Sequence, residues 1–310
     1  MSSSSDGRAA WPDHVDEILG GDQTIALGYL TPARGVVVTP VTNFSVRDRA
    51  DGTITAVNSS AGVWRKLERI RREPRVALAY HTRAHGFTDR PEYVLVHGRA
   101  TLLPPDPNLP RTLGATWERS GGLEDRSRLE EWWLRAFLHR VAIEVAVERV
   151  VVWPDLTCRG EPEVHGAPLP GDPPPQRAPR DGTGPRIRLG RAVRRARGLP
   201  NVLLGWAGAD GFPVIVPVGL GGTTERGVAL DPPFPLPPGG RRAGLTAHAF
   251  TRYGYGQVLR KHTGWLEDGV YAPHTERGYH LPESRLLFTL ASGFVTRRGL
   301  RAAPERYARV

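Results

Sequence analysis

The chain has 310 residues, a formal net charge of +10 and a hydrophobic content of 39%. This length exceeds what one small core usually organises, so two domains are expected. The single cysteine, Cys158, excludes an intrachain disulfide and a cysteine-based metal site, and no apolar run is long enough for a membrane span. The N-terminal residues do not have the pattern of a secretory signal, so a cytoplasmic location is expected.

The positive charge comes almost entirely from arginine, because lysine occurs only at positions 66 and 261. Only residues 186–197 (RIRLGRAVRRAR) form a dense basic run. A basic surface can bind nucleic acid, but the solvated face of a helix is the simpler interpretation of this run. We therefore do not predict a nucleic-acid partner, and the positive field would also suit an anionic small ligand.

The first half predicts an α+β domain over residues 12–153, after a disordered tail at 1–11. Its predicted elements are a helix at 12–20, a hairpin at 24–41, a strand at 52–59, a helix at 61–73, strands at 76–81 and 93–103, a helix at 126–138 and a strand at 141–152. Most of these strands follow one another through short turns, which favours antiparallel pairing and a small barrel.

Residues 154–186 contain nine prolines and predict a linker, without regular secondary structure from 158 to 184. The second domain, 187–310, repeats the pattern of the first with one change: the proline-rich stretch 231–244 excludes a helix. Its predicted elements are a helix at 188–197, a hairpin at 201–218, strands at 227–230, 245–251 and 257–266, a loop at 271–282 and a strand at 285–295.

The two hairpins are copies of each other. Residues 24–41 read TIALGYLTPARGVVVTPV and residues 201–218 read NVLLGWAGADGFPVIVPV, which align without a gap at an offset of 177. Gly28 falls on Gly205 and Pro40 on Pro217. Self-similarity of this kind predicts two domains of one fold.

Five segments of the first half occur in a familiar order: VVVTPV at 36–41, VNSS at 57–60, the Arg65-Lys66 pair, EPRVALAY at 73–80 and YVLVHGRATL at 93–102. On these segments, residues 12–152 resemble the flavin-binding split β-barrel family, the pyridoxamine 5'-phosphate oxidase-like superfamily. The second half resembles it only through the repeat and is interpreted as a degenerate copy. The resemblance implies two tandem split barrels packed as a pseudo-dimer within one chain, with a flavin in the groove between them; such a chain could be a monomer.

The resemblance also implies site residues. Lys66 and Arg65 on a helix, with Ser59 and Ser60 before it, form a suitable cradle for a flavin phosphate; the alternative is a surface basic pair. The stretch Thr39, Pro40, Val41 and Thr42 would run along the flavin ring; the alternative is an ordinary strand end. For the opposite wall the candidates from the second domain are Trp265, Tyr255 and Arg260. The second domain has no matching hydroxyls or lysine-bearing helix, so we predict that its own site does not bind phosphate and that Lys261 contributes little.

The expected activity is that of an FMN-dependent oxidoreductase, which transfers hydride to or from an unidentified small molecule. Two alternatives stay open: a reductase that uses the deazaflavin coenzyme, and a non-catalytic protein that binds flavin or haem. No catalytic side chain is predicted, and no metal site either, because His81 and His85 lack a third converging ligand.

Overall fold

The computed structural model describes residues 8–58, 64–104, 141–252, 256–284, 286–288 and 290. The three long helices of this part are α1 (Asp13–Gly21), α2 (Trp64–Arg72) and α3 (Leu189–Arg197). The strands before α3 are β1 (Thr24–Leu30), β2 (Val36–Thr42), β3 (Val46–Asp48), β4 (Thr53–Asn58), β5 (Arg75–Tyr80), β6 (Tyr93–Leu102), β7 (Val141–Trp153) and β8 (Glu163–Gly166). Those after it are β9 (Asn201–Ala207), β10 (Pro213–Pro217), β11 (Gly219–Thr224), β12 (Gly227–Asp231), β13 (Arg241–Ala249), β14 (Val258–Glu267) and β15 (Val270–His280).

The two halves of the chain share one topology. The first sheet has the order β2-β1-β5-β6-β7-β4-β3, with β8 added beside β7, and the second has the order β10-β9-β13-β14-β15-β12-β11. All pairings are antiparallel. The fold class predicted from the sequence is therefore confirmed: the chain is α+β and consists of two tandem split β-barrel domains. No described helix is long and apolar enough to cross a membrane.

One register shift occurs at the equivalent position in both copies. In the first sheet, β6 and β7 slip by one residue between His97 and Gly98. In the second, β14 and β15 slip between Thr263 and Gly264. An extra residue of this kind is a β-bulge, which bends the strand and increases its twist. The shared bulge places the same bend at the same point of both barrels.

Helices α1 and α2 cover the core of the first domain. Leu67 and Ile70, three residues apart on α2, are fully buried, as are Val15 and Ile18 on α1. This spacing puts each pair on one helix face, so the predicted amphipathic pattern determines how the helices dock. Lys66, next to Leu67, is thereby held at a fixed position.

The domains pack on each other around a pseudo-twofold axis. A Cβ on Gly28 would lie 2.7 Å from Ile215 Cδ1, and a Cβ on Gly205 would lie 2.6 Å from Val38 Cγ2. Glycines 28 and 205 are aligned in the repeat, and so are residues 38 and 215. Reciprocal contacts between equivalent positions are the property of a twofold interface.

Two buried hydrogen bonds join the domains at equivalent acceptors, although their donors are not equivalent. Thr246 Oγ1 donates to the Val38 carbonyl at 2.8 Å, and Tyr93 Oη donates to the Ile215 carbonyl at 2.7 Å. The two acceptors are again equivalent residues, one in each domain. An apolar cluster shared by both sheets, which includes Ala79 and Leu203, surrounds these bonds. The interface is therefore a common core, and the chain is folded as an intrachain pseudo-dimer.

The prediction that residues 158–184 lack regular secondary structure is wrong. Strand β8 lies within this segment and pairs with β7 from Arg149 to Val152. The reason is the length of β7: β4 pairs only with its first half, and the rest would be an open edge without β8. Further along, the Gln176 N–H donates to the Gly240 carbonyl at 2.8 Å. The linker is therefore bound to both domains.

The predicted disordered tail is wrong for residues 8–11. Ala9 and Trp11 are buried, and the Ala9 N–H donates to the Val147 carbonyl at 2.8 Å. Trp11 Nε1 donates to Asp16 Oδ1 at 3.0 Å, which ties the segment to α1. Residues 1–7 lie outside the described residues.

Two predictions near the C-terminus also need correction. The predicted loop 271–282 is almost entirely strand β15, in which Pro273 lies beside the bulge, a position where proline is tolerated. The predicted strand 285–295 is wrong at 286–288, which are helical. Residues 285, 289 and 291–295 and the whole of the helix predicted at 126–138 lie outside the described residues. The short strands β3 and β11 were not predicted.

Candidate functional site

A groove of about 370 Å³ lies between the two domains, with one wall from each. The first domain contributes the C-terminal half of β2 and Lys66 of α2. The second contributes the end of β13, the start of β14 and the end of β15. The residues lining it are Thr24, Thr39, Pro40, Val41, Thr42, Phe44, Lys66, His248, Ala249, Phe250, Gln257, Val258, Leu259, Lys261, Arg277, Gly278 and Tyr279.

The only two lysines of the chain meet in this groove. Lys66 is buried, with 7% of its surface exposed, and Lys261 lies across from it on β14. Lys261 Nζ donates to Thr39 Oγ1 at 3.2 Å, which links β14 of the second domain to β2 of the first. Two residues separated by 195 positions in the sequence therefore form one cationic cluster.

The cluster is electrostatically uncompensated. Burial and the charge of Lys261 lower the pKa of Lys66 to about 7. Burial, then the charges of Arg277 and Arg69, lower the pKa of Lys261 to about 8. Arg277 pairs directly with Lys261 across β14 and β15, and like charges at that position repel. None of the described residues lining the groove is acidic. A bound anion would relieve both the repulsion and the loss of solvation.

The four predicted ring-side residues, Thr39 to Thr42, all line the groove. They form the end of β2, which is the edge strand of the first sheet. An edge position explains why Pro40 is tolerated in a strand. It also leaves backbone groups and the two threonine hydroxyls beside the space where a ligand would lie. The predicted ring-side residues and Lys66 are thus brought together.

Other predicted site residues are placed elsewhere. Arg65 is exposed and does not line the groove. Trp265 is buried away from it, with Nε1 donating to Glu267 at 3.2 Å and the Arg242 guanidinium 5.9 Å from its ring. The prediction of Trp265 as the opposite wall is therefore wrong: it lies four residues beyond Lys261 along β14, roughly 13 Å away, and past the bulge. Arg260 does not line the groove either. Ser59, Ser60 and Tyr255 lie outside the described residues.

The structure adds residues that the sequence reasoning missed. Lys261 was predicted to contribute little, yet it lines the groove together with Lys66. Arg277, Tyr279 and His248 also belong to the groove wall. The rarity of lysine among so many arginines was the one sequence signal that singled out Lys261. Arg277 belongs to β15, which was interpreted as a loop, and no local pattern pointed to His248 on β13.

A second cavity of about 360 Å³ occupies the pseudo-symmetric position. Asn201, Pro217 and Gly219 line it, and these residues are the repeat partners of Thr24, Pro40 and Thr42 in the first groove. Leu156 and Arg159 of the linker close one side. Neither lysine of the chain is present there, so the cationic cluster belongs to one groove only.

No family model and no curated protein sequence matches the chain. Solved structures similar to it each cover about half of its length. One is a protein related to general stress protein 26, of the pyridoxinephosphate oxidase family, from Clostridium acetobutylicum (11% identity, 48% of this chain and 89% of that chain covered, TM-score 0.33). Another is an F420 reductase (16% identity, 45% of this chain and 98% of that chain covered, TM-score 0.33). A third is a FAD-binding protein from Mesorhizobium loti (19% identity, 52% of this chain and 98% of that chain covered, TM-score 0.28). Each of these proteins is thus similar to about half of this chain, and the resemblance drawn from the sequence agrees with the sheet order that both halves share.

Proposed function

We propose that the groove binds a phosphate-bearing flavin-type cofactor, FMN, and that the chain is an oxidoreductase acting on a small molecule. The observation that carries this proposal is that the only two lysines of the sequence line one groove, whose described lining residues include no acidic side chain. The choice of a flavin among possible anions rests on the sequence resemblance of residues 12–152.

Lys66 and Lys261 would hold the phosphate. Hydrogen bonds from an ammonium group to a phosphate oxygen are charge-assisted and are stronger than neutral ones. The lowered pKa values of both lysines show that the free groove holds their charges at a cost. A phosphate with about two negative charges would restore the charged form of both. Thr39 keeps Lys261 in position for this contact.

The remaining residues would orient the ring and exclude water. Thr39 to Thr42 form one side, while Phe250 and Tyr279 belong to the wall across from them. A bound flavin supplies the capacity to accept or donate hydride, so the chain has to provide only binding, orientation and electrostatics. The apolar side chains among the lining residues, such as Val41, Phe250 and Leu259, would keep water from the reacting atoms.

The absorption spectrum of the purified full-length chain tests the proposal most directly. We expect bands near 370 and 450 nm after incubation with FMN and removal of the free cofactor. A single band near 420 nm after incubation with the deazaflavin coenzyme would identify that coenzyme as the cofactor in place of FMN. A Soret band after incubation with haem would identify haem as the ligand and overturn the flavin assignment. Binding of none of the three would overturn it.

A further inference from the structure

Two histidines lie on the pseudo-twofold axis. Gly28 pairs with Ala77 and Gly205 pairs with Gly244, so the register aligns His81 with His248. These equivalent residues contact each other directly: the two Nε2 atoms are 2.9 Å apart and the rings meet edge to face. Both side chains are buried. His248 lines the cationic groove, and His81 lines the second cavity.

The hydrogen bonds determine which nitrogen of each ring carries the proton. His81 Nδ1 lies 3.1 Å from the Ala79 carbonyl, which can only accept, so this nitrogen is protonated. In a neutral ring Nε2 is then an acceptor, and His248 must donate to it from its own Nε2. His248 Nδ1 is therefore left as an acceptor. Burial lowers the pKa of His81 to about 4 and that of His248 to about 2, so both rings are neutral at pH 7.

Symmetry is necessarily broken at this point. A hydrogen bond between two equivalent atoms needs one donor and one acceptor, so the two histidines cannot be in the same tautomer. The two Nδ1 atoms therefore differ in their hydrogen bonding. His81 Nδ1 has its carbonyl partner, whereas His248 Nδ1 is buried and has no hydrogen-bond partner among the described residues. An orphaned buried acceptor is costly unless something donates to it.

We infer that the Ala79–His81–His248 chain leaves Nδ1 of His248, a residue that lines the cationic groove, as a buried acceptor, and that the ligand of this groove donates an N–H or O–H to it when bound. This inference rests on the proposed function and narrows it: the ligand carries an anion for Lys66 and Lys261 and a hydrogen-bond donor at a separate position. FMN, with its ribityl hydroxyls and ring N–H, has both groups. His248 would act as a positioning residue that distinguishes such a ligand from a simple polyanion.

The first test uses the cofactor-free, ¹⁵N-labelled full-length protein. Long-range ¹H–¹⁵N correlation spectra report the tautomer of each histidine, with the two signals assigned from His81→Gln and His248→Gln spectra. We expect His81 protonated at Nδ1 and His248 protonated at Nε2. Addition of FMN should then shift the His248 Nδ1 resonance. A His248 ring that carries its proton on Nδ1 would overturn the inference whether or not FMN binds.

The second test measures affinity. His248→Phe should weaken FMN binding about 3- to 10-fold, the equivalent of one neutral hydrogen bond, and leave the binding of inorganic phosphate unchanged. His81→Gln retains an acceptor for His248 and should bind FMN like the wild type, whereas His81→Phe should weaken it. If the wild type binds FMN and His248→Phe binds it equally well, the inference fails and the proposed function stands. If the wild type binds phosphate but not FMN, the proposed function fails.

Discussion

The two grooves of this molecule occupy equivalent positions of one duplicated fold, yet their walls differ in charge. Tyr80 pairs with Val94, and Ala247 pairs with Arg260, so the next residues along, Leu95 and Lys261, are equivalent. Leu95 in turn pairs with Val151, just as Lys261 pairs with Arg277. Two cations of the first groove, Lys261 and Arg277, thus correspond to Leu95 and Val151, two apolar side chains buried in the cluster shared by both sheets.

A packed apolar cluster lies next to the second groove, formed by residues adjacent in sequence to its lining. Trp153 stacks on Phe234 with ring centroids 6.3 Å apart, and Cys158 of the linker is fully buried in the same cluster. Phe234 belongs to the proline-rich stretch that stands where the first domain has helix α2. A homodimer must keep both of its sites alike, because one sequence forms them both. Duplication within one chain removes that constraint, so one copy can bind a ligand while the other stabilises the interface.

The largest expected effect comes from removing both lysines. Lys66→Ala combined with Lys261→Ala should weaken FMN binding by about 100-fold or more, since hydrogen bonds to charged groups contribute about 1.5–3 kcal/mol each. Fluorescence titration measures the affinity. Arg65→Ala is the matched control, because Arg65 is adjacent to Lys66 but exposed, and it should bind normally. Equal losses in the control and the double variant would show that general charge, not the groove, holds the ligand.

The interface symmetry predicts a matched pair of stability effects. Gly28→Val and Gly205→Val should each reduce the free energy of unfolding by about 1–3 kcal/mol, because the new side chains collide with Ile215 or Val38. Chemical denaturation measures both. A large effect at one position with none at the other would contradict the reciprocal packing.

The lysine pKa values predict opposite pH dependences for binding and stability. Only charged lysines bind phosphate strongly, and the pKa values are about 7 for Lys66 and about 8 for Lys261. Because both side chains lose their proton as the pH rises from 7 to 9, the affinity for FMN should fall about 10-fold or more over this range. The phosphate itself remains fully ionised over this range. Titrations at several pH values measure the effect, and an affinity that is constant from pH 7 to 9 would contradict it.

The lowered pKa values of the two lysines also affect the free energy of unfolding of the ligand-free protein, which should rise with pH while the affinity for FMN falls. Both pKa values lie below the usual value of 10.5, so between pH 7 and 10 the unfolded state binds more protons than the folded state. This contribution to the free energy of unfolding therefore increases as the pH rises through that window. Lys66→Met should remove part of the increase, which denaturation at pH 7 and pH 9.5 can measure.

The smallest effect is expected from the second groove. Arg159→Ala, which removes a cation from its wall, should change FMN affinity less than about 2-fold, within the usual range for surface substitutions. Equilibrium dialysis should give one FMN per chain. Two bound cofactors per chain would mean that the second groove is also a ligand site.

Local patterns in the sequence determined much of the fold and part of the site. The gapless hairpin repeat predicted two copies of one domain, and the spacing of Leu67 and Ile70 predicted the helix that positions Lys66. Residues 39–42 end the first strand pair and line the groove, and their contact with a cofactor stays a prediction. These inferences succeed because hydrophobic periodicity and turn residues act over short distances along the chain.

The tertiary structure alone decided which distant residues meet. Lys261 and Arg277 enter the groove because β14 and β15 pack against β2, and no local pattern encodes that approach. Trp265 had been predicted as a wall of the groove, but it lies beyond the bulge of β14, beside Arg242 and Glu267. Strand β8 forms because β7 is longer than β4, which is a property of the sheet and not of the proline-rich segment. The contact between His81 and His248 exists only because the two domains are related by a twofold axis, and the tautomers of both rings depend on that contact.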